Sequence, residues 1–246
     1  MKLAIVTRCE KNYKFSSLSH PILKEYASMC GADFIIISER KINIGPFHNE
    51  IFQCYELLDY YDRICVIDSD VLLNNPPNIF KLVPYDKIGL VFEDIGFRKK
   101  DRLRDILLVQ KKFGNVDWKR GYLNSGFIVF SKVHKDIFKI NKKYFWNKIG
   151  FDDVQIGYMI NKLNYKIFEL PYKFNHVSLF SEAGKNWLKS YVIHYGGRGF
   201  YRKLSRFEQM KRDLYILNYK SNLYISFANI LPRIRLVLLG LIGYLK

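Results

Sequence analysis

Short apolar runs separated by amphipathic stretches set the pattern of this chain. Residues 2–7, 33–38, 63–67, 88–92 and 126–130 are rich in β-branched and aromatic side chains and have the length of single strands, with weaker runs at 166–169 and 192–195. Runs that are apolar nearly throughout predict strands covered on both faces. Between them the period changes. Residues 20–30 read as a helix, with Pro21 in the first turn and Gly31 as the stop. Over 50–61, Ile51, Phe52, Tyr55, Leu58 and Tyr61 fall close to an i, i+3, i+4, i+7 stripe, and a second such helix covers 151–163. Strands alternating with helices predict an α/β fold, with a mixed, mostly parallel central sheet flanked by helices.

The run at 63–67, Arg-Ile-Cys-Val-Ile, is followed at once by Asp68-Ser69-Asp70. In a parallel α/β sheet, ligands bind beyond the carboxyl ends of the strands, which is where these acids fall. Side chains two apart on an extended backbone share a face, so both carboxylates can address one point. Releasing two acids from a buried strand is costly unless something pairs with them. A hard divalent cation that also bridges a diphosphate meets that need. A polar turn with a helix cap explains the tripeptide alone equally well.

Further segments carry a family resemblance. Ile64 to Asp70 resembles the strand and DxD motif of GT-A fold glycosyltransferases. Tyr122-Leu123-Asn124-Ser125-Gly126 resembles the Asn-(Ala/Ser)-Gly segment of glycosyltransferase family 8 and its glycogenin-like relatives. Asp152-Asp153 is similar to that family's Asp-Gln-Asp stretch, and His194-Tyr195-Gly196-Gly197 to its His-x-x-Gly motif. Thr7, Asn12 and Tyr13 resemble its nucleotide-contacting first loop.

The resemblance implies a GT-A fold and transfer of a hexose from a nucleotide sugar, most simply UDP-linked, to a glycan or lipid-linked acceptor. It implies Mn²⁺ or Mg²⁺ held by Asp68, Asp70 and His194, with Asp68 and Ser69 also near the nucleotide and the backbone of Gly196 and Gly197 near its phosphates. A histidine alone reads as a core or surface residue; its place before Gly-Gly, in the family's order, makes it a ligand candidate, and its nitrogen favours Mn²⁺. Asn124 falls where the family contacts the donor sugar. Of the acidic pair, Asp152 reads mainly as a helix cap and Asp153 as the group facing the acceptor or the reacting carbon, with retention implied. The sequence departs from the family in two places: Phe200 stands where a diphosphate-contacting lysine is usual, and Asp153 replaces Gln. Arg198, Arg202 and Lys203 are candidate substitutes for the lysine. The run from Arg98 to Arg104 has five bases in seven residues; a solvated face is the default reading, with Arg98 the candidate for a phosphate or sugar contact.

Composition narrows the partners. The net charge of +17 attracts polyanions, whether nucleic acid, anionic membrane or phosphorylated substrate. The bases are dispersed and form no nucleic-acid-binding motif, so nucleic acid is not an expected partner. Cys9, Cys30, Cys54 and Cys65 lack metal-site spacing and read as reduced core thiols. The apolar start is too short for a signal peptide, which predicts a cytoplasmic protein. Residues 1–215 read as one catalytic domain and 216–246 as an amphipathic helical tail. Its uninterrupted apolar part, 236–242, falls well short of the ~20 residues that span a bilayer. Flanking Arg233, Arg235 and Lys246 suit a helix lying in the interface of an anionic membrane, and packing on the domain or on a second copy of the chain is the alternative. Two other functions use similar ingredients. A sugar nucleotidyltransferase needs a glycine-rich loop after the first strand, where this chain has Arg8-Cys9-Glu10-Lys11; a basic binding protein on the same fold needs no turnover.

Overall fold

The computed structural model describes residues 1–219 apart from 12, 97, 119, 142–144, 198 and 202. In chain order it contains β1 (Leu3–Arg8), α1 (Ser16–Cys30), β2 (Asp33–Ile37), α2 (Cys54–Tyr60), β3 (Arg63–Ile67), β4 (Val71–Leu73), α3 (Ile79–Leu82) and β5 (Lys87–Phe92). Then follow α4 (Lys99–Phe113), β6 (Leu123–Ser131), α5 (Phe151–Lys162), β7 (Lys166–Glu169), α6 (Ser178–Glu182), β8 (Val192–His194) and α7 (Arg206–Tyr219). Six strands form one sheet in the order β2-β1-β3-β6-β5-β7. All run the same way except β6, which is antiparallel to both its neighbours.

Alternate residues of the central strands feed two separate cores. Ile5, Cys65, Ile67, Phe127 and Val129 pack on one face with Leu23, Tyr26 and Ala27 of α1. Ala4, Val6, Ile64, Val66, Ile128 and Phe130 pack on the other with Leu58 of α2 and Ile156 and Ile160 of α5. This two-sided burial is why the strands read as continuous apolar runs. All four cysteines are buried and free of disulfides, Cys30, Cys54 and Cys65 within these layers.

Several elements differ from the sequence expectation. α1 starts at Ser16, so Pro21 lies inside the helix and not in its first turn. Its stop is as expected: Gly31 adopts φ 65° and its N–H reaches back to Ser28 O. The stripe over 50–61 divides into a 3₁₀ segment, Phe47–Gln53, and α2. Within the 3₁₀ segment Glu50 is buried and turned towards the preceding loop, where its carboxylate accepts the N–H groups of Lys41 and Ile42 at 3.0 and 3.1 Å. The charged run at 98–104 opens the 15-residue helix α4. β4 is too short to leave a periodic signal, yet it pairs with β8 in a second, two-stranded sheet. α7 runs through residue 216, the start of the expected tail, and the tail from 220 on lies outside the described residues. Among the described residues, no helix is long and apolar enough to cross a membrane.

Candidate functional site

The parallel strands β1, β3 and β5 deliver Arg8, Asp68 and Glu93 from their carboxyl ends to one cleft of about 650 Å³. Antiparallel β6 begins where its neighbours end, so Asn124 and Ser125 reach the same cleft. The β4–β8 pair adds the last piece. Val71 lies opposite His194, and Tyr195 N–H donates to Asp70 O at 2.9 Å, which places the imidazole beside the two aspartates.

His194 Nε2 lies 3.4 Å from Asp70 Oδ1 and 3.5 Å from Asp68 Oδ2. One donor atom from each of the three residues falls within 4.8 Å of the others. The outer carboxylate oxygens are already engaged: Arg8 pairs with Asp68 Oδ1, and Arg206 Nη1 with Asp70 Oδ2 at 2.5 Å. Each aspartate therefore keeps one oxygen directed inwards.

A hydrogen-bond chain sets the imidazole. Gly126 N–H donates to Asn124 Oδ1 at 2.9 Å, which fixes that oxygen as an acceptor. Asn175 Nδ2 then donates to it at 2.8 Å, leaving Asn175 Oδ1 to accept from His194 Nδ1, also at 2.8 Å. Nε2 is thus the nitrogen offered to the aspartates. A Cβ on Gly126 would sit 2.3 Å from His194 Cε1, so a side chain at 126 would displace the ring. Burial works against the imidazolium, but Asp70 and Asp68 more than offset it and raise the pKa to about 9. Burial likewise opposes the charge on Asp70, yet His194 and Arg206 bring its pKa below the usual carboxylate value. Two inward carboxylate oxygens and an imidazole nitrogen form a donor set that fits Mn²⁺ or Mg²⁺.

The acids that open α5 form the facing wall. Asp152 does not cap the helix. Its Oδ2 accepts from Arg8 Nη1 at 2.6 Å and from Ser125 Oγ at 2.8 Å, so buried Arg8 bridges Asp152 and Asp68. Asp153 Oδ1 accepts from Ser125 N–H at 2.7 Å, and its Oδ2 from Tyr122 Oη at 3.1 Å. Burial and the neighbouring Asp152 charge lift the Asp153 pKa to about 7. Next to it, Glu93 accepts from Arg102 Nη2 at 3.2 Å and from Asn124 Nδ2 at 3.0 Å, while the Arg102 guanidinium lies 4.1 Å from the Tyr122 ring centre.

No protein-family model matches the sequence, and no curated protein sequence matches it either. Solved structures do. A glycosyltransferase involved in the glycosylation of the major capsid of PBCV-1 superposes with a TM-score of 0.58 at 14% identity, covering 86% of this chain and 100% of that one. The galactosyltransferase LgtC, in complex with donor and acceptor sugar analogues, gives a TM-score of 0.57 at 15% identity over 88% of this chain and 95% of its own. The chain has the GT-A fold.

In this GT-A cleft, Asp68, Ser69, Asp70, Tyr13, Asn124, Asp152, Asp153, His194, Gly196, Gly197 and Arg98 all line the wall. Thr7 does not. It is fully buried, and the next residue, Arg8, points into the cleft because successive strand residues face opposite sides. Asn12, Arg198 and Arg202 lie outside the described residues. Lys203 is exposed and is not among the lining residues. Phe200 is buried against Tyr195 and Met210, and Arg206 is the cation that reaches Asp70, with its Nη2 donating to Tyr13 Oη at 3.0 Å. The sequence reading missed Arg8, Glu93, Arg102, Asn175 and Arg206. Glu93 carries the same signal as Asp68, an acid directly after a buried strand, whereas Asn175 and Arg206 reach the site only through tertiary packing.

Proposed function

We propose that the protein is a metal-dependent glycosyltransferase that moves a hexose from a UDP-sugar to a glycan or glycolipid acceptor. The observation that carries the reading is the convergence of Asp68, Asp70 and His194 at the strand ends of a GT-A cleft. Bound by these three residues, the cation would serve as a Lewis acid that offsets the growing charge of the departing nucleoside diphosphate.

The chain's own residues divide into three groups. Tyr13 and Ser69 flank the nucleoside side. Arg206 takes the phosphate-facing role that the resemblance gives to a lysine, and the backbones of Gly196 and Gly197 admit the phosphates without a side chain between. On the opposite wall, Asn124, Glu93 and Arg98 meet the donor sugar, and Asp153 faces the acceptor hydroxyl or the reacting carbon. A carboxyl with a pKa near 7 is suited to exchanging a proton at neutral pH. The proposed outcome is retention, following the resemblance. The LgtC complex, which holds donor and acceptor sugar analogues, is a precedent for a two-substrate arrangement. The proposed setting is the cytoplasmic face of a membrane, where lipid-linked acceptors are found.

The test is release of UDP from a panel of UDP-hexoses with and without Mn²⁺, alongside UDP binding by thermal shift. Mn²⁺-dependent release and stabilisation support the reading. Absence of both, in a folded preparation, overturns it.

A further inference from the structure

The helix α4 presents an outer face that none of the proposed chemistry uses. Its inner side is fixed by Ile106, Val109 and the buried Asp105. On the outside, Leu103, Leu107 and Leu108 are 47%, 66% and 43% exposed. At about 3.6 residues per turn, Leu103 and Leu107 form one ridge, and the exposed Lys100, Arg104 and Lys111 fall on the arc between Leu107 and Leu108. Asp101 is the helix's one exposed acid, and it pairs with Arg104 at 3.5 Å.

A solvated face explains the bases but not three leucines among them. Nucleic acid offers phosphates to the bases and no receiving surface for the leucines. An anionic lipid leaflet offers both, phosphate headgroups above and acyl chains just below, the complement of a leucine ridge set among lysines and arginines. The charge of the whole chain, +17, favours approach to the same surface. Arg98 at its N-terminal cap and Arg102 in its first turn line the cleft from the opposite, inner side, so the leucine face is free of the proposed chemistry.

We infer that the Leu103–Leu107–Leu108 face of α4, with its surrounding bases, docks the protein on an anionic membrane. The inference deepens the reading of a lipid-linked acceptor, but its test does not depend on turnover.

The experiment is co-sedimentation of the full chain with phosphatidylcholine vesicles, with and without phosphatidylglycerol. Wild type should bind only the anionic vesicles, and less as salt rises. Leu103→Ser/Leu107→Ser should lower partitioning roughly tenfold, and Lys100→Gln/Lys111→Gln should lower it and flatten the salt dependence. Unchanged thermal melting and unchanged Mn²⁺-dependent UDP binding in both variants show that fold and cleft are intact. Three results overturn the inference: no binding of wild type to anionic vesicles, equal binding to neutral ones, or wild-type binding by the leucine variant. Loss of UDP release with normal vesicle binding would instead count against the transferase reading alone.

Discussion

Asn175 Oδ1 accepts from His194 Nδ1 at 2.8 Å, and that contact decides which imidazole nitrogen faces Asp68 and Asp70. A residue that sets a ligand's orientation from behind typically contributes 10–100-fold in metal affinity. Asn175→Ala should weaken Mn²⁺ binding by about that factor while leaving the secondary structure unchanged. Asn175→Asp, which still accepts from Nδ1, should bind more tightly than the alanine variant. Titration calorimetry with Mn²⁺ alone checks both, and equal affinities in wild type and Asn175→Ala would sink the argument.

UDP should raise the melting temperature strongly only when Mn²⁺ is present, because a ligand stabilises in proportion to RT ln(1 + [L]/Kd) and the site needs its cation to be complete. Asp70→Ala should abolish the Mn²⁺-dependent part of the shift. An undiminished shift in that variant would remove Asp70 from the ligand set.

Gly126→Ala introduces a methyl group 2.3 Å from His194 Cε1, too close for the ring to keep its place. The expected result is loss of Mn²⁺ affinity out of proportion to any loss of stability, read by running calorimetry and thermal melting on the same sample.

Asp152 and Asp153 should separate by readout. Asp152→Asn leaves the buried Arg8 with one carboxylate partner in place of two, and should cost about 1.5–3 kcal/mol of stability, the range for hydrogen bonds to charged groups. Asp153→Asn should instead cut kcat sharply with little change in UDP affinity. Denaturant melts and steady-state kinetics on both variants check the assignment; reversed effects would exchange the two roles.

The acid limb of stability should follow His176. It is wholly buried between Ser190 Oγ at 2.7 Å and Ser181 Oγ at 2.8 Å, and burial lowers its pKa to about 3. In the unfolded chain it titrates at about 6.5. Above that pH neither state is protonated and the residue contributes no pH dependence. Below it only the unfolded state takes up the proton, so stability falls from about 6.5 down to about 3. His134, lowered to about 4 by burial, acts in the same direction. His176→Gln should flatten the melting temperature between pH 6 and 4, and an unchanged slope would show that other groups control this limb.

How much the sequence disclosed follows from the range of each interaction. The strands were legible because two cores demand apolar residues on both faces, and Asp68-Ser69-Asp70 stood out against that background. The early start of α1 was hidden because Pro21 suggested a boundary that the turn at Tyr13–Phe15 supplies instead. α4 was hidden behind its charges. Arg8 carried no motif, and its role depends on Asp152, which only folding brings within 2.6 Å. β4 is three residues long, and its partner lies near the other end of the described chain.

That pairing of β4 with β8 has a kinetic corollary. The two aspartates leave the sheet early in the chain, but the third donor arrives on a strand that must close a loop of more than a hundred residues to reach Val71. A nascent or proteolytically shortened chain that ends before Val192 would carry both acids and no complete cation site. If these residues hold a cation as proposed, its affinity would appear only once the strand carrying His194 has docked against Val71, which makes cation binding a reporter of that docking.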